Sequence, residues 1–139
     1  MPIAEYDTLD AIGLAALVRA RELSPREVIE EAIRRAEAAN PALNFIAHRA
    51  FDEALALASS PQLPQGPLCG VPWLVKELAT SWAGQPWTNA LPYMKDVIGP
   101  FDSLTLQRLK AAGMIPFAKS TSPENGWMLA TESTMFGIT

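Results

Sequence analysis

The chain has 139 residues and a mass of 15.1 kDa, enough for one ordinary domain with a real core. Apolar residues make up 49% and charged residues 19%, and 15 acidic against 11 basic side chains leave a formal charge of −4. That balance excludes a disordered chain and argues against nucleic-acid binding through phosphate contacts, while one Cys and one His exclude a disulfide framework and argue against a metal centre.

Met1 to Asp7 carries neither a basic cap nor an apolar run, so it does not read as a signal peptide. From Leu9 to Val18, the residues Leu9, Ile12, Leu14, Leu17 and Val18 fall on one helical face, with Asp7 or Thr8 placed to cap it. Ser24-Pro25-Arg26-Glu27 opens a second helix with the signature of a capping box. Its inward positions are Val28, Ile29, Ala32, Ile33 and Ala36, and its outward ones Glu30, Glu31, Arg34 and Arg35. Asn40-Pro41 is expected to end it, because proline disfavours helical geometry in the residue before it.

Asn44 to His48 predicts a short strand, and Phe51 to Ala58 a third helix. Ser59 to Pro67 is a loop by composition. The longest charge-free stretch, Ala54 to Val75, is interrupted by Pro61, Pro64, Pro67 and Pro72 and cannot form a spanning helix. These features predict a soluble, cytoplasmic chain with no membrane partner. Val71 to Val75 reads as a buried strand that delivers Lys76 and Glu77 at its end. Ala79 to Pro100, with Trp82, Trp87, Pro86, Pro92 and Gly99, is a long irregular stretch of the kind that is usually either functional or poorly ordered.

Asp102 reads as the N-cap of a helix through Ala112, stopped by Gly113, and Met114 to Ala118 as another buried strand. Strand, helix and strand in that order predict a crossover between parallel strands, so the fold class is α/β. Helices at positions 1–43 precede an α/β part at 44–139, and Thr121 or Ser122 is placed to cap a short turn after Pro123. The chain closes on Phe136-Gly137-Ile138-Thr139 without a terminal helix or polar tail, which predicts a fragment of a longer domain.

Lys76 is the main chemical candidate. At the end of an apolar strand its amine is expected to be desolvated, and a neutral amine can act as base or nucleophile. The alternative, which the local sequence favours, is a packed stem with its charge reaching solvent or Glu77. Strand alternation weakens that pairing, because neighbouring residues point to opposite faces. Ser120, Thr121 and Ser122 cluster beyond a strand end, where α/β proteins bind ligands, although capping explains them as well. His48 reads as a satisfied imidazole and Cys69 as a packing residue. Trp82, Trp87 and Trp127 can line a pocket or be buried, and Asp96 and Asp102 read as turn or cap carboxylates.

The segments Ser24-Pro25-Arg26-Glu27, Gly70-Val71-Pro72-Trp73-Leu74-Val75-Lys76-Glu77, Asp102-Ser103, Leu109 to Gly113, Ala118-Lys119-Ser120-Thr121-Ser122-Pro123-Glu124 and Thr131-Glu132-Ser133 occur in a telling order. In that order they resemble the N-terminal portion of the amidase signature family. The resemblance implies N-terminal helices followed by part of a mixed or parallel sheet with crossover helices, incomplete relative to the whole family domain. It implies that Lys76 is the base of a Ser–Ser–Lys triad and acts through a second serine, held on a cis peptide, on a nucleophilic serine. Amide hydrolysis would then run through an acyl-enzyme. Both serines and the oxyanion-hole amides belong to a segment beyond this sequence. Gly126, Trp127 and Met128 match a stretch that lines the substrate cavity in relatives. Glu77 stands where Asp is common, and Ala118-Lys119-Ser120-Thr121 replaces the usual Gly-Lys-Thr-Asn. The implied partners are a small-molecule amide and the rest of the domain or a second copy; no cofactor or metal is implied. Two other roles fit the same residues, a non-catalytic interaction module and a piece of the glutaminase component of a tRNA-dependent amidotransferase.

Overall fold

The longest helix owes its start to a reciprocal pair of hydrogen bonds. In the computed structural model, which describes residue 3 and residues 6–139, Ser24 Oγ accepts from the Glu27 amide at 3.2 Å and Glu27 Oε2 accepts from the Ser24 amide at 2.8 Å. The capping box satisfies amides that a helix start otherwise leaves open. The helix, α2 (Pro25–Leu43), follows α1 (Ala11–Arg19) and buries Val28, Ile29, Ala32 and Ala36.

Three expectations about these helices are corrected. α1 is capped by Asp10, whose Oδ1 accepts from the Gly13 amide at 2.7 Å, because Asp7 and Thr8 lie in a preceding 3₁₀ turn and Leu9 falls outside the helix. α2 does not stop at Asn40 but runs through Pro41 to Leu43. Proline in a last turn forfeits one hydrogen bond. Asn40 Oδ1 compensates by accepting from the Phe45 and Ile46 amides at 2.9 Å each, and left-handed Asn44 (φ 48°) ends the helix. Glu31 does not face outward either. Its carboxylate is buried between the guanidinium groups of Arg34 (2.7 Å) and Arg35 (2.6 Å), which hold its pKa down to about 2 against the cost of burial.

β1 (Ile46–Arg49) and α3 (Phe51–Ala58) lead through the 59–71 loop to β2 (Pro72–Lys76), and α4 (Leu104–Ala111) connects β2 to β3 (Ile115–Ser120). The sheet order is β1-β3-β2, with β2 parallel and β1 antiparallel to β3. The α/β crossover expected from sequence is therefore present, within a mixed sheet. A small hairpin, β4 (Glu132–Ser133) and β5 (Gly137–Ile138), closes the chain, and Asn44 Nδ2 donates to Phe136 O and Ile138 O beside it.

On one face of the sheet, Ile29, Ala32 and Ala36 of α2 and Ala54 and Ala58 of α3 pack against Ile115, Phe117 and Ala118, with Leu74 of β2 joining them. Val75, the next residue, joins Ala50, Trp82 and Leu106 in a separate cluster that seats α4. Gly113 stops α4 as expected. Its φ is +93°, and a Cβ there would sit 2.6 Å from both Cys69 Cα and Pro64 O. Ser103, not Asp102, caps α4; Asp102 instead accepts from the Ala83 amide at 2.9 Å and pairs with Lys110 at 2.7 Å. Among the described residues no helix is long and apolar enough to cross a membrane.

Candidate active site

The carboxyl ends of β2 and β3 lie side by side, and the register puts Lys76 opposite Ser120. β2 is an edge strand. Of its residues only Val75 is buried, while Pro72, Trp73 and Leu74 are half-buried and Lys76 is exposed. The expected desolvation of Lys76 within a buried strand is thus not found in this chain: an edge strand has no neighbour on one side to cover its end. The Glu77 amide carries the ladder one residue further, donating to Ser120 O at 3.0 Å.

Alternation turns the Glu77 side chain to the other face, where it is fully buried. Its Oε1 accepts from the Thr88 amide at 2.8 Å and the Thr88 hydroxyl at 2.6 Å, and lies 3.6 Å from His48 Nε2. Its Oε2 lies 2.6 Å from the ammonium of Lys119, which is itself buried and donates to Pro86 O at 2.6 Å. Burial alone would raise the Glu77 pKa. The neighbouring His48 ring, the Lys119 ammonium and its charge, and the Thr88 hydroxyl outweigh it and hold the carboxyl at about 2. Of the two strand lysines, Lys119 is therefore the buried one, in an ion pair with Glu77, and Lys76 the accessible one.

Sequence reasoning passed over Lys119, Thr88 and the role of Glu77. The signal was present in Ile115-Pro116-Phe117-Ala118-Lys119, where a lysine continues a run that packs as core. A buried ammonium requires an anion, and Glu77 follows the neighbouring strand.

The turn containing Gly126 is tied to the segment that leaves β2. Asn89 Oδ1 accepts from the Ala79 amide at 2.8 Å, and Asn89 O accepts from the Asn125 amide at 2.9 Å. Gly126 (φ +72°) lies against Leu78, whose Cδ2 would be 2.6 Å from an added Cβ. Trp127 and Met128 are exposed and border a cleft of about 370 Å³ with Leu91, Tyr93, Glu124 and Asn125. Lys76 is not among the residues lining that cleft. Trp82, by contrast, is core.

The hydroxyl cluster does not cap the turn. Thr121 Oγ1 meets Thr139 Oγ1 at 2.9 Å and Ser122 Oγ donates to Pro123 O at 3.2 Å. The turn Glu124–Gly126 is too short to offer a ladder of amides, and its Asn125 is left-handed (φ 48°). His48 stacks edge-on against Phe136 at 5.3 Å, with its Nε2 buried near Glu77 and without a hydrogen bond of good geometry. Cys69 is half-buried, and burial raises its thiol pKa, which suits packing.

The family model described as Amidase matches residues 27–139. The chain belongs to the amidase signature family. It is 33% identical over 132 residues to the 6-aminohexanoate-cyclic-dimer hydrolase of Paenarthrobacter ureafaciens, covering 94% of this chain and 26% of that protein. It is 32% identical over 137 residues to a glutamyl-tRNA(Gln) amidotransferase component of Acidothermus cellulolyticus, covering 93% of this chain and 26% of that one. A solved structure of 6-aminohexanoate cyclic dimer hydrolase superposes with a TM-score of 0.87 at 33% identity, over 94% of this chain and 27% of that chain. This amidase-family chain thus spans about a quarter of the length of the relatives it matches.

Proposed function

We propose that residues 1–139 form the N-terminal portion of an amide hydrolase and supply its general base, Lys76. The observation that carries the reading is the position of Lys76: last residue of an edge strand, at the carboxyl end of the sheet, exposed and therefore open to groups arriving from outside this chain. Lys119, the other strand-end lysine, is unsuited to the role because its ammonium is held by Glu77 and Pro86. Covering of Lys76 by the rest of the domain would desolvate the amine and favour its neutral form.

In the proposed reaction neutral Lys76 takes a proton from one serine hydroxyl, which takes one in turn from the nucleophilic serine. The serine oxygen bonds to the amide carbon, the C–N bond breaks, and the proton returns through the same relay to the leaving nitrogen. Water then releases the acid from the acyl-enzyme. Both serines and the oxyanion donors come from residues beyond this sequence. Trp127 and Met128, with Gly126 in the turn that precedes them, contribute one wall of the substrate cavity, and the exposed indole favours an apolar or aromatic group there.

The test pairs the intact mass of every polypeptide that purifies with the chain with labelling by a fluorophosphonate, from which an activated serine displaces fluoride. A labelled polypeptide continuous with or bound to this chain is expected, and Lys76→Ala should slow labelling by about 10²- to 10⁴-fold. Undiminished labelling in Lys76→Ala would refute the assignment. Release of ammonia from glutamine only in the presence of the other amidotransferase components would move the protein to the glutaminase reading, which the 32% identity to one such component keeps in play.

A further inference from the structure

The Glu77–Lys119 pair lies where three separate parts of the chain meet, on the face of the sheet opposite Lys76. Lys119 is in the central strand, opposite His48 of β1 and Val75 of β2. Glu77 is the first residue beyond β2. Thr88 and Pro86 belong to the irregular 79–100 stretch, whose backbone turns back on itself at Trp87 N to Val97 O (2.9 Å) and Gly99 N to Gln85 O (2.8 Å). One carboxylate takes both donors of Thr88 and the ammonium of Lys119, while that ammonium takes Pro86 O. The connection is thereby fastened to the sheet from both ends of a single ion pair.

We infer that Glu77 is a positioning residue for Lys76: with Lys119 and Thr88 it clamps the 79–100 connection beneath the sheet and holds the end of edge strand β2 in register with Ser120. The inference rests on the reading of Lys76 as base and deepens it. An edge strand is paired along one side only, so its last residue is the first to fray. Beyond Lys76 a single backbone hydrogen bond, Glu77 N to Ser120 O, keeps the chain on β3. That bond and the buried carboxylate belong to the same residue, so movement of the Glu77 side chain moves the backbone adjoining Lys76. The same clamp acts on the substrate wall. Asn89 follows Thr88 and accepts from the Ala79 amide, and its carbonyl accepts from Asn125, next to Gly126. Base and wall are thus referred to one anchor.

Acid–base transfer is sensitive to displacements of this kind, a misplacement of about 1 Å costing on the order of 10²-fold in rate. The predicted signature is loss of the chemical step with binding retained, because Glu77 is buried away from the cleft and touches no exposed surface.

The experiment uses the serine-bearing protein that contains or binds this chain, and measures the maximal rate and half-saturation of fluorophosphonate labelling separately. Glu77→Gln is expected to lower the maximal rate by about 10- to 100-fold, with half-saturation within about twofold of wild type. Glu77→Asp, which keeps the charge but withdraws it by one methylene, should recover most of that loss. Thr88→Val, which removes one hydroxyl and leaves the ion pair, should cost about 3- to 10-fold. A folded Glu77→Gln protein with a wild-type maximal rate overturns the inference. If Glu77→Gln does not fold, Thr88→Val decides: a wild-type rate there overturns it equally. Lys76→Ala separates the two readings. Full labelling in that variant sinks the base assignment, whereas its loss beside an unaffected Glu77→Gln sinks the clamp alone.

Discussion

Lys119 and Glu77 show how one residue's requirement dictates the environment of another. Two buried charges are tolerated because each is the other's counter-ion, with Thr88 donating to the carboxylate and Pro86 O accepting from the ammonium. Breaking such a pair costs more than replacing it. Lys119→Met should destabilise the protein by about 3–5 kcal/mol at neutral pH, and Lys119→Met/Glu77→Leu should recover most of that loss. The pH dependence follows from the direction of the Glu77 shift. Its folded pKa, about 2, lies below the ordinary carboxylate value of 4.5, so its stabilising contribution is complete above that value and lost as pH falls toward 2. In Lys119→Met the carboxyl loses its cation and is protonated more readily. The gap between variant and wild type should therefore shrink as pH is lowered from 7 to about 3. Urea midpoints across that range give the answer; a gap independent of pH would mean that Lys119 acts through packing alone.

Among the elements, those with local determinants were legible and those set by distant partners were not. α2 announces its start through Ser24, Pro25 and Glu27, and α3 has the bounds its Ala/Leu run predicts. Ser24→Ala removes the hydroxyl that accepts from Glu27 and should cost about 1 kcal/mol, seen as a lower urea midpoint with an unchanged slope. A change under about 0.3 kcal/mol would show that α2 is held by packing rather than by its cap. Pro41 misled because the compensating acceptor, Asn40 Oδ1, acts only once Phe45 and Ile46 have turned toward β1. Asp102 and Ser103 are both good caps by type, and the choice fell to Ser103 because Ala83 and Lys110, remote in sequence, engage Asp102. The same reasoning covers the site. Lys76 is visible as a cation at a strand end. That β2 is an edge strand, and so leaves Lys76 exposed, depends on strand order, which no local pattern encodes.

At the scale of the whole molecule the surface is larger than its mass warrants. The chain exposes 7867 Å², whereas a folded monomer of 15.1 kDa is expected to expose roughly 7100 Å². The difference is comparable to the roughly 800 Å² that each partner contributes to a standard protein–protein interface. Tyr93, Trp127, Met128, Leu129 and Ile138 are all more than 60% exposed, and β2 presents an unpaired edge. Single exposed apolar residues are ordinary, but a run such as Trp127-Met128-Leu129 together with an open sheet edge is the composition of a surface meant to be covered. In a family whose members here are about four times longer, the covering is proposed to come from the rest of the domain, with self-association as its substitute when that part is absent. The 139-residue chain on its own should accordingly form concentration-dependent dimers or larger species by light scattering. Trp127→Ser/Leu129→Ser should shift that equilibrium toward monomer by at least about tenfold, which equals 1.4 kcal/mol of association free energy. A monomer that persists at high concentration with Trp127 still exposed would mean that this surface needs no cover, and would favour a substrate contact over a packing role for Trp127.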